Sequence, residues 1–191
     1  MKIPQRSILN IKRLRVPLGF LFGSLYLLVL FLSKPTTKFL IPGLILIFAG
    51  EMLRVLSSGY IKKSEELSVY GPYSHLRHPL YTGSFLIGLG FLLLIFNTKN
   101  LLSISLIILF LILFPAIYIK TIKEEEKFLK EKFGEEFLEY KKNVGIIFPR
   151  LKPYRKGGKF CLKQFLKNKE YRAVSGILLL LLLYFFRLHF F

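Results

Sequence analysis

Two stretches of the sequence hold side chains of the kinds that build a reactive or ligand-binding site, and both are polar islands in an apolar chain. The first runs Gly71-Pro72-Tyr73-Ser74-His75-Leu76-Arg77-His78-Pro79-Leu80-Tyr81-Thr82-Gly83 and leads straight into a hydrophobic run. Pro79 suits the first turn of a helix, where its missing N–H is harmless, and it pushes the preceding residue out of the helical region. His78 is therefore presented at a helix mouth. The same stretch also fits a loop that enters the membrane, with Arg77 snorkelling to phosphates and Tyr73 and Tyr81 as interfacial aromatics. The second stretch runs Lys123-Glu124-Glu125-Glu126-Lys127-Phe128-Leu129, then Phe133-Gly134-Glu135-Glu136-Phe137-Leu138-Glu139-Tyr140, and holds most of the acid in the chain. A solvated amphipathic helix, with glutamates balancing lysines at helical spacing, accounts for most of these carboxylates. Glu51 and Arg54 make a third group, three residues apart on one helix face inside a hydrophobic run. Ionisable groups at that depth are expensive and face a polar cavity or one another. Arg54 could reach the interface by snorkelling, whereas Glu51 is harder to account for in that way.

Metal chemistry finds no support. Cys161 is the only cysteine, so there is neither a disulfide framework nor a CxxC pattern, and of His75, His78 and His189 the last lies far from the others at the end of an apolar run. No metal is expected.

The elements that position these residues follow from composition. Of 191 residues 53% are hydrophobic and the mean hydropathy is +0.49, more apolar mass than a water-soluble core of this size needs. The formal charge of +18 comes without the polar, aromatic-poor composition of a disordered tail, and basic loops between apolar helices explain both facts. Nucleic-acid binding, the rival reading of so basic a chain, has no zinc, helix-turn-helix or RNP signature behind it, so no nucleic-acid partner is expected. Apolar runs of spanning length at 16–33, 39–57, 80–97, 101–119 and 173–191 predict five transmembrane helices in a single membrane domain, 1–191. The first follows Lys12, Arg13 and Arg15 as a signal peptide would, yet it ends at Ser33-Lys34-Pro35 with no small-residue cleavage site and should stay in place. The last, with Arg187 and His189 near its end, either spans or lies partly in the interface. Pro35, Pro42-Gly43 and the 97–100 turn punctuate short connections, pairing the first and second helices, and the third and fourth, as hairpins. Beyond the fourth, Ile122, Leu129, Phe133, Phe137, Tyr140 and Val144 recur at three- and four-residue steps and predict an amphipathic helix that Gly134 could divide.

Lys and Arg are unevenly placed. All but Lys34, Lys38, Lys99 and Arg187 of the 29 fall in the N-terminal segment, the 54–77 region or the 120–172 region. The positive-inside rule puts those regions, and with them the N-terminus and the polar stretches, in the cytoplasm.

Taken in order, Gly71-Pro72-Tyr73, then Arg77-His78-Pro79-x-Tyr81-x-Gly83, then Glu124-Glu125 and Phe133-Gly134-x-x-Phe137-x-x-Tyr140 resemble the isoprenylcysteine carboxyl methyltransferase and phospholipid methyltransferase superfamily over roughly 50–151. The resemblance implies a cytoplasmic cofactor pocket between the mouth of the third helix and the glutamate-bearing helix after the fourth. Leu67, Tyr73, His78, Pro79, Leu80, Tyr81 and Glu125 would bind S-adenosylmethionine, with S-adenosylhomocysteine as product, and backbone of the Glu65-Glu66-Leu67-Ser68 stretch would contact the adenosine. The residue types suit that cofactor, whose ammonium, carboxylate, adenine and sulfonium call for an anion, hydrogen-bond donors, apolar walls and aromatic faces. The acceptor would be a lipophilic small molecule taken laterally from the bilayer, and a carboxylate acceptor needs no general base, so no catalytic residue is assigned. Glu51, Arg54, Arg77 and Thr121 are the candidates for substrate contact. Thr121 departs from the pattern, since eukaryotic carboxyl methyltransferases place an arginine four residues before the cofactor glutamate, and neither Lys120 nor Lys123 reproduces an arginine fork. The 152–191 extension lies outside the resemblance, and its Lys152, Arg155, Lys156, Lys159 and Lys163 are expected at anionic headgroups.

Two other readings compete. An NADPH-dependent membrane reductase of related architecture would bind NADPH and quench its fluorescence, but no dinucleotide glycine fingerprint supports it. A non-catalytic scaffold would use Ser84-x-x-x-Gly88 and Gly90 for a helix contact and would bind no cofactor.

Overall fold

Lipid offers a backbone no hydrogen-bond partners, so a long apolar run can lie in it only as a helix or within a closed barrel. Each of the five predicted runs contains a helix in the computed structural model of the chain, which describes residues 21–32, 37–61 and 66–190, and no strand occurs among those residues. In order these helices are α1 (Leu21–Leu32), α2 (Leu40–Tyr60), α3 (Pro79–Leu94), α4 (Leu101–Asn143), the short α5 (Leu162–Lys167) and α6 (Tyr171–Phe190). Thr37–Tyr60, Leu101–Asn143 and Tyr171–Phe190 are long and apolar enough to cross a bilayer, and α1 and α3 are shorter apolar helices. The protein is an all-α integral membrane protein. Lys12, Arg13 and Arg15, the start of the first predicted run, Ser33-Lys34-Pro35 and Glu65 lie outside the described residues.

Helix α4 explains how one element serves both bilayer and site. Asn100 starts it by accepting the N–H groups of Leu102 and Ser103, and it then runs for 43 residues. At 1.5 Å per residue that is about 65 Å, roughly twice the hydrocarbon thickness, so its polar second half must leave the membrane. The apolar first half, from Leu101, is the part long enough to cross a bilayer. Gly134, at φ 52° and ψ −124°, kinks the emergent part, as its position suggested. The predicted apolar face beyond it packs on the loop before α3: Phe137, Tyr140 and Val144 are buried with Leu67 and Val69, flanked by Leu129 and Phe133.

Pro42 and Gly43 fall in the first turn of α2 and not in a connection, a position where proline forfeits no helical hydrogen bond. Helices α2 and α3 form the tightest pair, because glycines face backbone across them: a Cβ on Gly50 would lie 2.6 Å from the Gly83 carbonyl oxygen, and one on Gly90 would lie 2.7 Å from that of Gly43. The small-residue run in α3 therefore serves internal packing. Gly50→Ala should push the two helices apart and destabilise the fold by about 1–3 kcal/mol, read as a lower unfolding midpoint in detergent.

Candidate active site

The polar stretch before α3 is shaped by a 3-10 turn, Gly71–Ser74, and by the chain that follows α4. That chain returns alongside it: the Arg77 N–H donates to the Gly145 carbonyl, and the Arg150 and Tyr154 N–H groups donate to the carbonyls of His75 and Ser74. Tyr140 donates its hydroxyl to the Tyr73 carbonyl at 2.7 Å. His78 stands at the N-cap position of α3, where its carbonyl accepts the N–H groups of Tyr81 and Thr82 while its ring makes no capping bond. The ring is thus left to face the emergent half of α4.

There it meets two adjacent glutamates. His78 Nδ1 lies 3.8 Å from Glu125 Oε2, and Nε2 lies 3.4 Å from Glu126 Oε1. Tyr81 stacks on the His78 ring at 5.6 Å and donates its hydroxyl to Glu125 Oε2 at 2.6 Å. Glu125 is 36% exposed, open to a ligand, whereas Glu126 is 9% exposed and closed in by cations. Arg77 Nε lies 3.0 Å from Glu126 Oε1, and Lys141 Nζ donates to Oε2 at 2.7 Å. Burial alone would raise the Glu126 pKa, but the hydrogen bonds from His78 and Lys141 and the charge of Arg77 outweigh it and hold the carboxyl at about 2. Glu126 is a fixed anion.

The structure sorts the predicted residues into those that could face a ligand and those that hold the frame. His78, Tyr81 and Glu125 come together around one point, and Pro79 is buried at the first position of α3 below them. Tyr73 is buried, and its hydroxyl oxygen has no hydrogen-bond partner among the described residues. Burial and the charge of Glu125 push its pKa well above the usual value, so it is a neutral hydroxyl whose surroundings also include Glu170 and Arg54. Leu67 sits in the loop core. Leu80 contributes its carbonyl, which accepts the Ser84 hydroxyl at 2.9 Å and Arg54 Nη1 at 3.5 Å. Arg77 is 8% exposed and, besides pairing with Glu126, donates to the Lys141 and Val144 carbonyls at 2.6 and 2.7 Å, so it clamps the loop to the end of α4 and does not reach lipid. Thr121 is buried and donates to the Ile117 carbonyl of its own helix at 2.9 Å.

Glu126 and Lys141 were not singled out from the sequence, nor was Glu170. Glutamates flanked by lysines on a helix read as solvated charge, and it is the long-range contacts with Arg77, His78 and Lys141 that distinguish Glu126. Glu170, at the start of α6, is 8% exposed and in direct contact with Arg54 Nη2, while Glu51 Oε2 lies 3.8 Å from Arg54 Nε.

Arg54 and Ser84, which are hydrogen-bonded to each other, line one part of a cavity of about 400 Å³ enclosed by α1, α2, α3, α4 and α6. Its other walls are apolar, including Phe22, Ile87, Phe110, Phe114 and Tyr118. A series of rings joins this cavity to the polar site: Tyr81 meets Tyr118 edge-on at 5.1 Å, and Tyr118 stacks on Phe114 at 3.9 Å. The arrangement sets a cluster of charged side chains beside an apolar-lined cavity.

The family model described as "Isoprenylcysteine carboxyl methyltransferase (ICMT) family" matches residues 28–131, more than half of the chain. The chain belongs to that family. Among curated proteins, the yeast Saccharomyces cerevisiae protein-S-isoprenylcysteine O-methyltransferase is 32% identical over 143 residues, covering 69% of this chain and 56% of its own. The Xenopus laevis protein of the same name is 34% identical over 131 residues, 62% of this chain and 43% of its own. The cobalt-zinc-cadmium resistance protein CzcN of Cupriavidus metallidurans is 37% identical over 97 residues, 49% of this chain and 40% of its own. The chain thus spans about half the length of the curated relatives it matches. No solved structure gives a significant match. Within this isoprenylcysteine carboxyl methyltransferase family member, the matched stretch contains His78, Tyr81, Glu125, Glu126 and Arg54, whereas Lys141, Glu170 and all of α6 lie beyond it.

Proposed function

We propose that this chain transfers a methyl group from S-adenosylmethionine to a lipophilic acceptor at the cytoplasmic face of the membrane, with a lipid-borne carboxylate as the acceptor that family membership favours. The observation that carries this reading is the meeting of His78 and Glu125, residues from opposite ends of a two-helix hairpin, beside rings that lead into an apolar cavity. The clustering of Lys and Arg on the loops that build the polar site supports a cytoplasmic orientation.

The residues present fit the cofactor. Glu125, accessible and hydrogen-bonded to Tyr81, suits an ammonium group; the Tyr81 and His78 rings offer faces to a cationic or aromatic group; and the unpartnered Tyr73 hydroxyl is a buried donor in want of an acceptor. When bound, S-adenosylmethionine supplies a methyl group on a cationic sulfur, and transfer to an acceptor oxygen leaves the neutral thioether S-adenosylhomocysteine. The protein's part is alignment and exclusion of water. Glu126, Arg77 and Lys141 fix the loop that carries His78, the Tyr81–Tyr118–Phe114 series forms the apolar side of the site towards the cavity, and no side chain has to move a proton when the acceptor is already a carboxylate.

S-adenosylhomocysteine should bind the purified protein in calorimetry, and His78→Ala should weaken that binding at least about tenfold, the worth of one charge-assisted contact. Labelled S-adenosylmethionine incubated with membrane lipid extract should label a lipid-soluble product. Quenching of NADPH fluorescence with no binding of S-adenosylhomocysteine would replace this reading with the reductase.

A further inference from the structure

The residues that meet Arg54 point to how the acceptor's headgroup is chosen, an inference that rests on the methyltransferase reading for its acceptor. Arg54 is 20% exposed and Glu170 10%, and the two side chains are in contact at the polar part of the cavity although they lie on α2 and at the start of α6. Among the described lining residues Arg54 supplies the one guanidinium of a largely apolar cavity, and a carboxylate already sits on it. We propose that Glu170 is a place-holder carboxylate, displaced from Arg54 by the carboxylate of an incoming lipophilic acceptor, so that Glu170 sets the headgroup specificity of the site and α6 forms the wall through which the acceptor enters.

Three observations carry this. First, the exchange keeps the pairing of the guanidinium: Glu51 lies 3.8 Å from Arg54 Nε, and on Nη2 one carboxylate would take the place of another. An amine in the same position would face Arg54 with no anion gained, and a neutral ester product would leave the guanidinium to Glu170 again, which favours product release. Second, the segment presenting Glu170 is built as an anchor and a latch. Asn168 is fixed to α2 by donating to the Ser58 carbonyl at 2.8 Å and the Ile61 carbonyl at 3.3 Å, and between it and Glu170 stands Lys169 at φ 58°, a left-handed conformation that residues with a Cβ rarely adopt. The turn that points Glu170 at Arg54 is thus held against its own preference. Third, α6 shares the cavity: Ala173, Gly176, Ile177 and Leu180 line it, while Leu178, Leu179 and Leu182 are exposed on the helix's other side. The helix that carries the latch is also the lipid-facing wall.

The test compares N-acetyl-S-farnesylcysteine with its methyl ester, two probes that differ only in the carboxylate, by binding to the full chain in nanodiscs without cofactor. Glu170→Gln should bind the free acid about tenfold more tightly than the wild type, because Arg54 is no longer occupied, while the ester binds both alike. Should Glu170→Gln fail to fold, Glu170→Asp, one methylene shorter with the charge retained, should bind the acid several-fold more tightly. Equal or weaker binding of the acid by the variants, an equal gain for acid and ester, or no binding of either probe overturns the proposal. Binding of S-adenosylhomocysteine is measured in parallel, and its absence from the wild type would sink the methyltransferase reading while leaving the acid-to-ester comparison to stand on its own result.

Discussion

Glu126→Ala is expected to destabilise the protein by about 3–5 kcal/mol, whereas Glu125→Ala, one residue away, should cost only about 1 kcal/mol of stability and weaken cofactor binding. The asymmetry follows from what each carboxylate compensates. Arg77 is 8% exposed, and Glu126 is its counter-ion at 3.0 Å; without it the guanidinium keeps only the Lys141 and Val144 carbonyls and the cost of an unpaired buried charge. Lys141 and His78 lose a partner in the same step. Glu125 is 36% exposed, and its removal forfeits the hydrogen bond from Tyr81 and the contact with His78 in a position where water can replace them, a cost of about 1 kcal/mol. Thermal unfolding in detergent measures the first effect and calorimetry with S-adenosylhomocysteine the second, where Glu125→Ala should weaken binding about 10- to 100-fold, the range for loss of a charged hydrogen-bond partner. A Glu125→Ala variant that binds S-adenosylhomocysteine as the wild type does would remove Glu125 from the site.

The same network gives the protein an acid limb. The Glu126 carboxyl is held at about 2 against an ordinary 4.5, so a folded-state value below the unfolded one makes its contribution fully present above about pH 4.5 and lost as the pH falls towards 2. Glu126→Gln should be less stable at neutral pH and should lack this limb.

The membrane fold was legible because its determinant is one-dimensional: a long apolar run must be helical in lipid, and each of the five runs contains an apolar helix among the described residues. The meeting of His78 with the acidic segment was legible from the resemblance and from Pro79, which forces the chain to deliver His78 at a helix mouth. The distinction between Glu125 and Glu126 was not. Successive residues on a helix point about 100° apart, and which of them turns inward depends on the rotation of α4 about its axis, set by how Phe137 and Tyr140 seat on Val69 beyond the Gly134 kink. Arg77 was ambiguous for a related reason, since snorkelling and clamping demand the same residue type at the same depth. The cavity and Glu170 leave no periodic trace at all: they exist where five helices fail to fill a space, and packing gaps are a property of facing surfaces and not of any one segment.

That gap gives the second large expectation. A cleft of about 400 Å³ with apolar walls leaves its lining without packing partners from the protein, so it is space that an apolar occupant can fill. Gly176 of α6 and Gly23 of α1 both line it, and a Cβ built on either meets no atom within 4 Å, so the wall would accept a side chain without moving. Gly176→Leu should therefore keep the fold, and a glycine-to-leucine change in a helix interior should add a few tenths of a kcal/mol or more of helix propensity. The new side chain would occupy space that an acceptor's hydrocarbon needs. At about 0.8 kcal/mol per buried methylene, denying three of them weakens acceptor binding by about 2.4 kcal/mol, roughly 50-fold in KM. S-adenosylhomocysteine binding should be untouched, because the polar pocket lies beyond Tyr118 and Tyr81. If Gly176→Leu and Gly23→Leu both methylate a farnesylated acceptor with wild-type KM, the hydrocarbon does not lie in this cavity, and the acceptor must approach His78 and Glu125 from another side.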